Sequence, residues 1–198
     1  MTTIQHSSHR SIQRPLEHAE LPGAMLTTTA ARALAVLRIS TGFVFLWAFL
    51  DKTFGFGFAT PAERAWANGG SPTKGFLSSV EVGPLQSFFH SIAGTWWADT
   101  LFMAGLGAIG IALIAGIGLR VAAASGALMM VFMWLAEFPL DRVTASGEPA
   151  HATNPLVDYH IVYAVVLVVL AAAYAGHTWG LGRLWAKLPF VQRNRWMI

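Results

Sequence analysis

Asp158, Tyr159 and His160 follow one another at the start of a long apolar run. A carboxylate, a phenol and an imidazole in succession can hold and pass a proton. Other ionisable residues stand at the ends of the remaining apolar runs, with Asp51 and Lys52 after the first, and Glu137 and Asp141 at the end of the third. If those ends share one side of a membrane, four carboxylates, a lysine and a histidine gather at one depth, as in a ligand-binding or proton-exchanging site. The competing reading is that they are ordinary helix-end charges facing water.

The neighbouring side chains suggest what such a site would bind. Tyr159 and Tyr163 are one helical turn apart, and Tyr174 returns to nearly the same face. His160 can reach Tyr163 at i+3. Met130, Met133, Trp134 and Glu137 share a face of the third run. Apolar walls with donors and carboxylates at the mouth suit a membrane quinone, which takes up protons at its carbonyls as it is reduced. Tyr159, Tyr163, Trp134 and Glu137 are therefore the candidate quinone-binding residues. Plain packing competes with this reading, because Met and aromatic stripes commonly fill cores.

Arg38 interrupts the first run near its inner end. A cation at mid-membrane costs at least ~2.5 kcal/mol unless it is paired or snorkels to the surface. Arg38 shares a face with Gly42, Phe45 and Phe49, and the glycine leaves room for a neighbour to meet the guanidinium. A functional or pairing role is expected, with snorkelling as the alternative.

Several cofactor classes are disfavoured. The chain has no cysteine, so it carries no disulfide, thiolate metal site or persulfide of its own. Haem in a helical bundle usually takes a histidine from each of two facing helices, whereas only His160 lies in an apolar run and His90 lies in a loop. His151, His160, Asp158 and Glu137 could approach a metal but follow no ligand-spacing motif, and no metal is expected. Gly105, Gly107 and Gly110 match G-x-G-x-x-G, yet they lie inside an uncharged apolar run rather than between a strand and a helix start. The small residues Ala104, Ala108, Ala112 and Gly116, spaced by four, point instead to close helix packing.

These residues need a membrane scaffold to bring them together. Of 198 residues, 55% are hydrophobic and 12% charged, against roughly 25% charged in a soluble domain. Four runs, residues 33–50, 101–119, 121–140 and 156–176, approach the ~20 apolar residues needed to cross a bilayer as helix. The expected fold is an all-α integral membrane bundle of four transmembrane helices, spanning residues 31–177. Residues 1–30 form an N-terminal tail and residues 178–198 an interfacial C-terminal tail. Residues 1–24 contain no apolar signal segment, and His6, His9 and His18 read as solvated. The second and third runs are so close that they must form a hairpin turning at Arg120.

Arg10, Arg14, Arg32, Arg120, Arg183, Lys187, Arg193 and Arg195 on one side outnumber Lys52, Arg64, Lys74 and Arg142 on the other. Positive-inside logic places both termini in the cytoplasm, with the protein in the cytoplasmic membrane. The net charge of +3 is spread beside apolar segments, so lipid headgroups rather than nucleic acid are its expected partners. The outer loop, residues 51–100, contains the helix-start signal Ser71-Pro72-Thr73 and the apolar recurrence Phe76, Leu77, Val80, Leu85, Phe88, Phe89 and Ile92, ending in Trp96 and Trp97. Short interfacial helices capping the bundle are expected there.

Taken together, Arg38, Gly42, Phe45 and Lys52, the stretch from Ser71 to Leu77, the segment from Asn154 to His160, and the tail from Trp179 to Trp185 resemble the DoxX/DoxD-like membrane proteins, particularly their actinobacterial branch. The resemblance implies a four-helix membrane bundle and a redox setting. DoxD-type proteins are a subunit of thiosulfate:quinone oxidoreductase, and DoxX-type proteins are associated with membrane oxidoreductase systems. It makes Asp158, His160, Lys52 and Arg38 the catalytic candidates. No second, DoxA-like region is visible, so a two-subunit activity requires a second redox subunit. A non-catalytic accessory or scaffold subunit of a respiratory complex is the alternative, favoured by the absence of cofactor motifs.

Overall fold

A first long helix starts where Thr27 caps it: the Thr27 hydroxyl accepts from the Ala30 N–H at 3.2 Å. The computed structural model describes residues 26–144, 146–148 and 154–198. It is all-helical, with no strand among the described residues: α1 Thr28–Phe54, α2 Lys74–Ser78, α3 Gln86–Ile92, α4 Trp96–Ala115, α5 Leu119–Glu137, α6 Tyr159–Ala172, α7 Gly182–Trp185 and α8 Pro189–Arg193. Three of these, α1, α4 and α5, are long and apolar enough to cross a membrane. With 14 residues, α6 falls short of the ~20 that a straight crossing needs. The N-terminal histidines and His151 lie outside the described residues.

Close contacts fix the packing of the long helices. A Cβ placed on Gly42 would meet Ile114, one on Gly110 would meet Leu46, and one on Gly107 would meet Phe49. The paired numbers rise on α1 as they fall on α4, so the two helices run antiparallel. Gly105 faces Met129 and Gly126 faces Ile109, which sets α5 antiparallel to α4. Gly126 also faces Leu167, and Tyr159 meets Glu137, so α6 returns beside α5. Phe45 of α1 meets Tyr163 of α6 edge-on at 6.4 Å and closes the bundle. On α6, His160, Ala164, Leu167 and Leu170 are buried while Val162, Val165, Val168 and Val169 are exposed. That spacing is a helical core face backed by an apolar outer face.

Four local features differ from the sequence reading. The close-packing residues of α4 are Gly107 and Gly110, whereas Ala104 and Ala108 are exposed. A missing side chain lets backbones touch, so the glycines rather than the alanines decide which face turns inward. The hairpin turns through Gly116 and Gly118, both at positive φ, and Arg120 already belongs to α5. Trp96 and Trp97 open α4 instead of ending the loop. Tyr174 lies beyond α6 at φ 49°, so it leaves the face of Tyr159 and Tyr163; its hydroxyl accepts from Arg120 at 2.8 Å.

The outer loop folds onto the bundle through two buried carboxylates. Asp51 accepts from the N–H groups of Phe58 and Ala59 at 3.3 and 3.0 Å. Asp99 accepts from the Ser71 hydroxyl, the Thr73 N–H and the Thr73 hydroxyl at 3.0, 3.0 and 2.6 Å. Ser71 in turn accepts from the Lys74 N–H at the start of α2. Val80, Phe89 and Ala136 form a second small core that seats α2 and α3 on the end of α5. Asp99→Ala leaves the two buried donors of Thr73 and the part-buried Ser71 hydroxyl without their acceptor and is expected to lower stability by about 1–3 kcal/mol. Limited proteolysis should then cut near Ser71 before the bundle melts; equal protease resistance in variant and parent would show that Asp99 does not hold the loop.

Candidate functional site

At the junction of α5 and α6, Asp158 is the N-cap of α6: its Oδ1 accepts from the Ile161 N–H at 3.1 Å. Its other oxygen meets His160 Nδ1 at 2.8 Å. Two residues apart within a helix would point to opposite sides. The extended backbone of Asp158, φ −108° and ψ −171°, folds the carboxylate back over the first turn instead. From the last turn of α5, Glu137 Oε1 accepts from the Tyr159 hydroxyl at 2.8 Å, and its Oε2 lies 3.8 Å from His160 Nδ1. The rings of Tyr159 and His160 lie 4.0 Å apart. His160 is fully buried, whereas Glu137 and Tyr159 are exposed.

A cleft of about 540 Å³ opens beside this cluster, lined by Glu137, Asp158 and Tyr159 together with Phe76, Glu81, Phe138, Thr144 and Asn154. Its volume falls in the ordinary range of small-molecule sites, ~300–1,000 Å³. Two buried polar atoms, His160 Nε2 and Trp134 Nε1, have no hydrogen-bond partner among the described residues. Among the candidates, the structure thus brings together Glu137, Asp158, Tyr159 and His160. Met130 belongs to the main core and the partly buried Tyr163 and Met133 pack against it, so the expected slot wall is packed side chain. Neither Tyr163 nor Trp134 lines the cleft.

Lys52 lies elsewhere. It lines a separate cleft of about 790 Å³ in the outer loop with Glu63, Arg64, Asn68, Ser71 and Lys74. Phe76 of α2 lines both clefts, so α2 divides the expected outer layer into a basic and an acidic half. Asp51, buried in its loop contacts, serves neither.

Arg38 is fully buried at the opposite end of the bundle. Its Nε donates to Ala175 O at 3.2 Å, one terminal nitrogen donates to Leu113 O and to Ile114 O (the latter at 2.8 Å), and the other donates to Thr178 O and Trp179 O at 3.3 and 2.9 Å. A guanidinium has five N–H groups, and all are taken by carbonyls. Arg38 therefore neither snorkels nor pairs with a carboxylate. Ala175 lies 15 residues beyond His160, roughly 22 Å at helical rise, so Arg38 cannot touch the cluster at the other end. Nearby, burial first and the charge of Arg183 second hold the His177 imidazole below its usual pKa.

The structural role of Asp99 is not legible from its place in the sequence. Its signal was a carboxylate just past the Trp pair, 26 residues after the Thr73 whose backbone it holds. Charge alone does not distinguish it from a helix-start aspartate. The class defined by these observations is an all-helical bundle with three helices able to cross a membrane and a carboxylate, phenol and imidazole cluster at one end. No protein-family model matches the chain, and no curated protein and no solved structure shows significant similarity to it.

Proposed function

We propose that this chain is the membrane subunit of a quinone-linked redox system, with quinone reduced beside the Glu137, Tyr159, Asp158 and His160 cluster. In this reading α6, extended by the residues on either side of it, is a fourth crossing of the cytoplasmic membrane, and both termini are cytoplasmic. The exposed valine stripe of α6 supports that placement, because water would not favour it.

The observation that carries the proposal is the pair of hydrogen bonds beside the 540 Å³ cleft, the Tyr159 O–H donating to Glu137 and Asp158 sharing one with His160 Nδ1, with Glu137, Asp158 and Tyr159 lining the cleft. Reducing a quinone to quinol takes two electrons and two protons. Thiosulfate is the donor that the resemblance to DoxX/DoxD-like proteins implies: two thiosulfate ions joining as tetrathionate release two electrons and no protons. The protons must then come from side chains or water, and the cluster supplies hydrogen-bonded positions for both. Lys52, Arg64 and Lys74, against Glu63, make the neighbouring cleft the electropositive one, suited to the anionic donor. With no cysteine, the chain forms no sulfur intermediate of its own, so a second redox subunit completes the reaction.

The protein in lipid nanodiscs with its partner subunit is expected to reduce a quinone analogue with thiosulfate. His160→Gln should lower kcat by about 10²-fold, the usual contribution of a positioned proton-transfer group. Absence of thiosulfate-dependent reduction with the partner present would end this reading. The second reading, an accessory or scaffold subunit, is favoured by the exposed apolar residues of the tail, Trp179, Leu184 and Trp196, each about 60% exposed. It predicts stoichiometric co-purification with a respiratory complex and unchanged thiosulfate oxidation when the chain is deleted.

A further inference from the structure

We propose that Glu137, Asp158 and His160 bind one divalent cation of the zinc class. Each offers a ligand atom, and the three atoms lie within 4.8 Å of one another. His160 Nδ1 is 2.8 Å from Asp158 and 3.8 Å from Glu137. Ligands at ~2.0–2.2 Å from a tetrahedral zinc lie about 3.4 Å from each other, so the ion needs the His160–Asp158 pair to open by about 0.6 Å and the His160–Glu137 pair to close by about 0.4 Å.

The second observation is the state of His160 itself. Its ring is fully buried, and among the described residues its Nδ1 has no hydrogen-bond partner outside the cluster. Its polar outlet is Nδ1, which packing aims at both carboxylates. The carboxylates alone would be ordinary helix-end charges; the buried imidazole between them gives the set a nitrogen donor. Glu137 ends α5, where the helix dipole favours a cation. Tyr159, donating to Glu137 Oε1, is the outer partner that would orient that carboxylate. Glu137 and Asp158 both line the cleft, through which an ion can enter. An imidazole with two carboxylates suits zinc better than magnesium, which prefers oxygen and water.

A bound cation would occupy the atoms assigned above to proton exchange, so it would inhibit quinone reduction. The inference does not depend on that activity, because binding is read without turnover. The test is calorimetric titration of the full chain in phosphatidylcholine nanodiscs with zinc chloride alone. One zinc per chain is expected, uncompeted by excess magnesium, and weakened more than about tenfold by E137Q, by D158N and by H160Q. Glu137 is exposed, so E137Q keeps the packing intact; an unchanged melting temperature together with weakened zinc binding is the decisive result. Absence of stoichiometric binding would overturn the proposal. So would an affinity in both E137Q and H160Q equal to that of the parent, which would place the zinc on other histidines such as His6, His9, His18 or His151. Zinc binding without thiosulfate-dependent quinone reduction would retain this site and dismiss the redox reading.

Discussion

Arg38→Met is expected to lower stability by at least about 3 kcal/mol, the scale on which a buried charged partner is lost. The reason lies in the helix end that Arg38 closes. The last four carbonyls of any helix lack intrahelical partners. On α4 these are Ala112, Leu113, Ile114 and Ala115. Ala112 O receives the N–H groups of Gly116 and Ile117, Leu113 O and Ile114 O receive Arg38, and Ala115 O receives the N–H of Leu181. Arg38 also holds the carbonyls of Ala175, Thr178 and Trp179, so one side chain from α1 ties the end of α4 to the segment that follows α6. Methionine fills similar volume and donates nothing.

Arg38→Lys should recover only part of the loss. An ammonium presents its three N–H groups from a single atom and cannot reach five carbonyls arrayed around a planar fork. Thermal unfolding in one detergent or nanodisc preparation orders the three proteins as parent, then Lys, then Met. Protease cleavage between residues 175 and 179 should appear first in the Met variant. A Met variant that melts with the parent would show that the clasp contributes nothing to stability, and Arg38 would return to the list of functional candidates.

Gly110→Val is the second large effect. The first atom of any side chain there would fall 2.6 Å from the backbone nitrogen of Leu46 and 2.9 Å from its Cα. Backbone cannot rotate away as a side-chain tip can, so α1 and α4 must separate. Overpacking typically costs about 1–3 kcal/mol, and the upper end is expected because the obstacle is main chain. Separating these helices also strips contacts from Phe49 at Gly107 and from Ile114 at Gly42. The matched control is Gly75→Ala in α2, where nothing lies within 4 Å and φ is not positive. It should be neutral or stabilising by roughly 0.5–1 kcal/mol, since it removes glycine entropy from a helix. Melting temperatures that fall equally in both variants would mean that the α1–α4 contact is not the close one described.

The contrast between these glycines shows where reading residues in order succeeds. Apolar runs of near-membrane length locate α1, α4 and α5 within a few residues, because hydropathy is local and backbone groups in an apolar setting must bond within their own helix. The Ser71-Pro72-Thr73 start of α2 is likewise local, Ser71 accepting from the Lys74 N–H three residues on; the fourth run reads as helix from residue 156, whereas α6 begins only at Tyr159, behind its Asp158 cap. Asp158 and His160 are neighbours in the chain, so their pairing was within reach of the sequence. What completes the cluster, Glu137 arriving from α5, was expected from topology but depends on the register of α5 against α6.

The rest required the packed bundle. That Arg38 meets carbonyls 75 to 141 residues away, rather than lipid headgroups or a carboxylate, follows from where α4 ends and the chain beyond α6 turns back. Lys52 and His160 share a depth in a drawing of helix ends, yet α2 folds between their clefts because Val80 and Phe89 seat it on Ala136. Tyr163 and Trp134 have the composition of a ligand slot, but side chains on neighbouring helices decide whether the space between them is filled. Composition and periodicity specify which faces are apolar. Which apolar faces meet, and which polar atoms are left among them, is settled by close contact between segments distant in sequence.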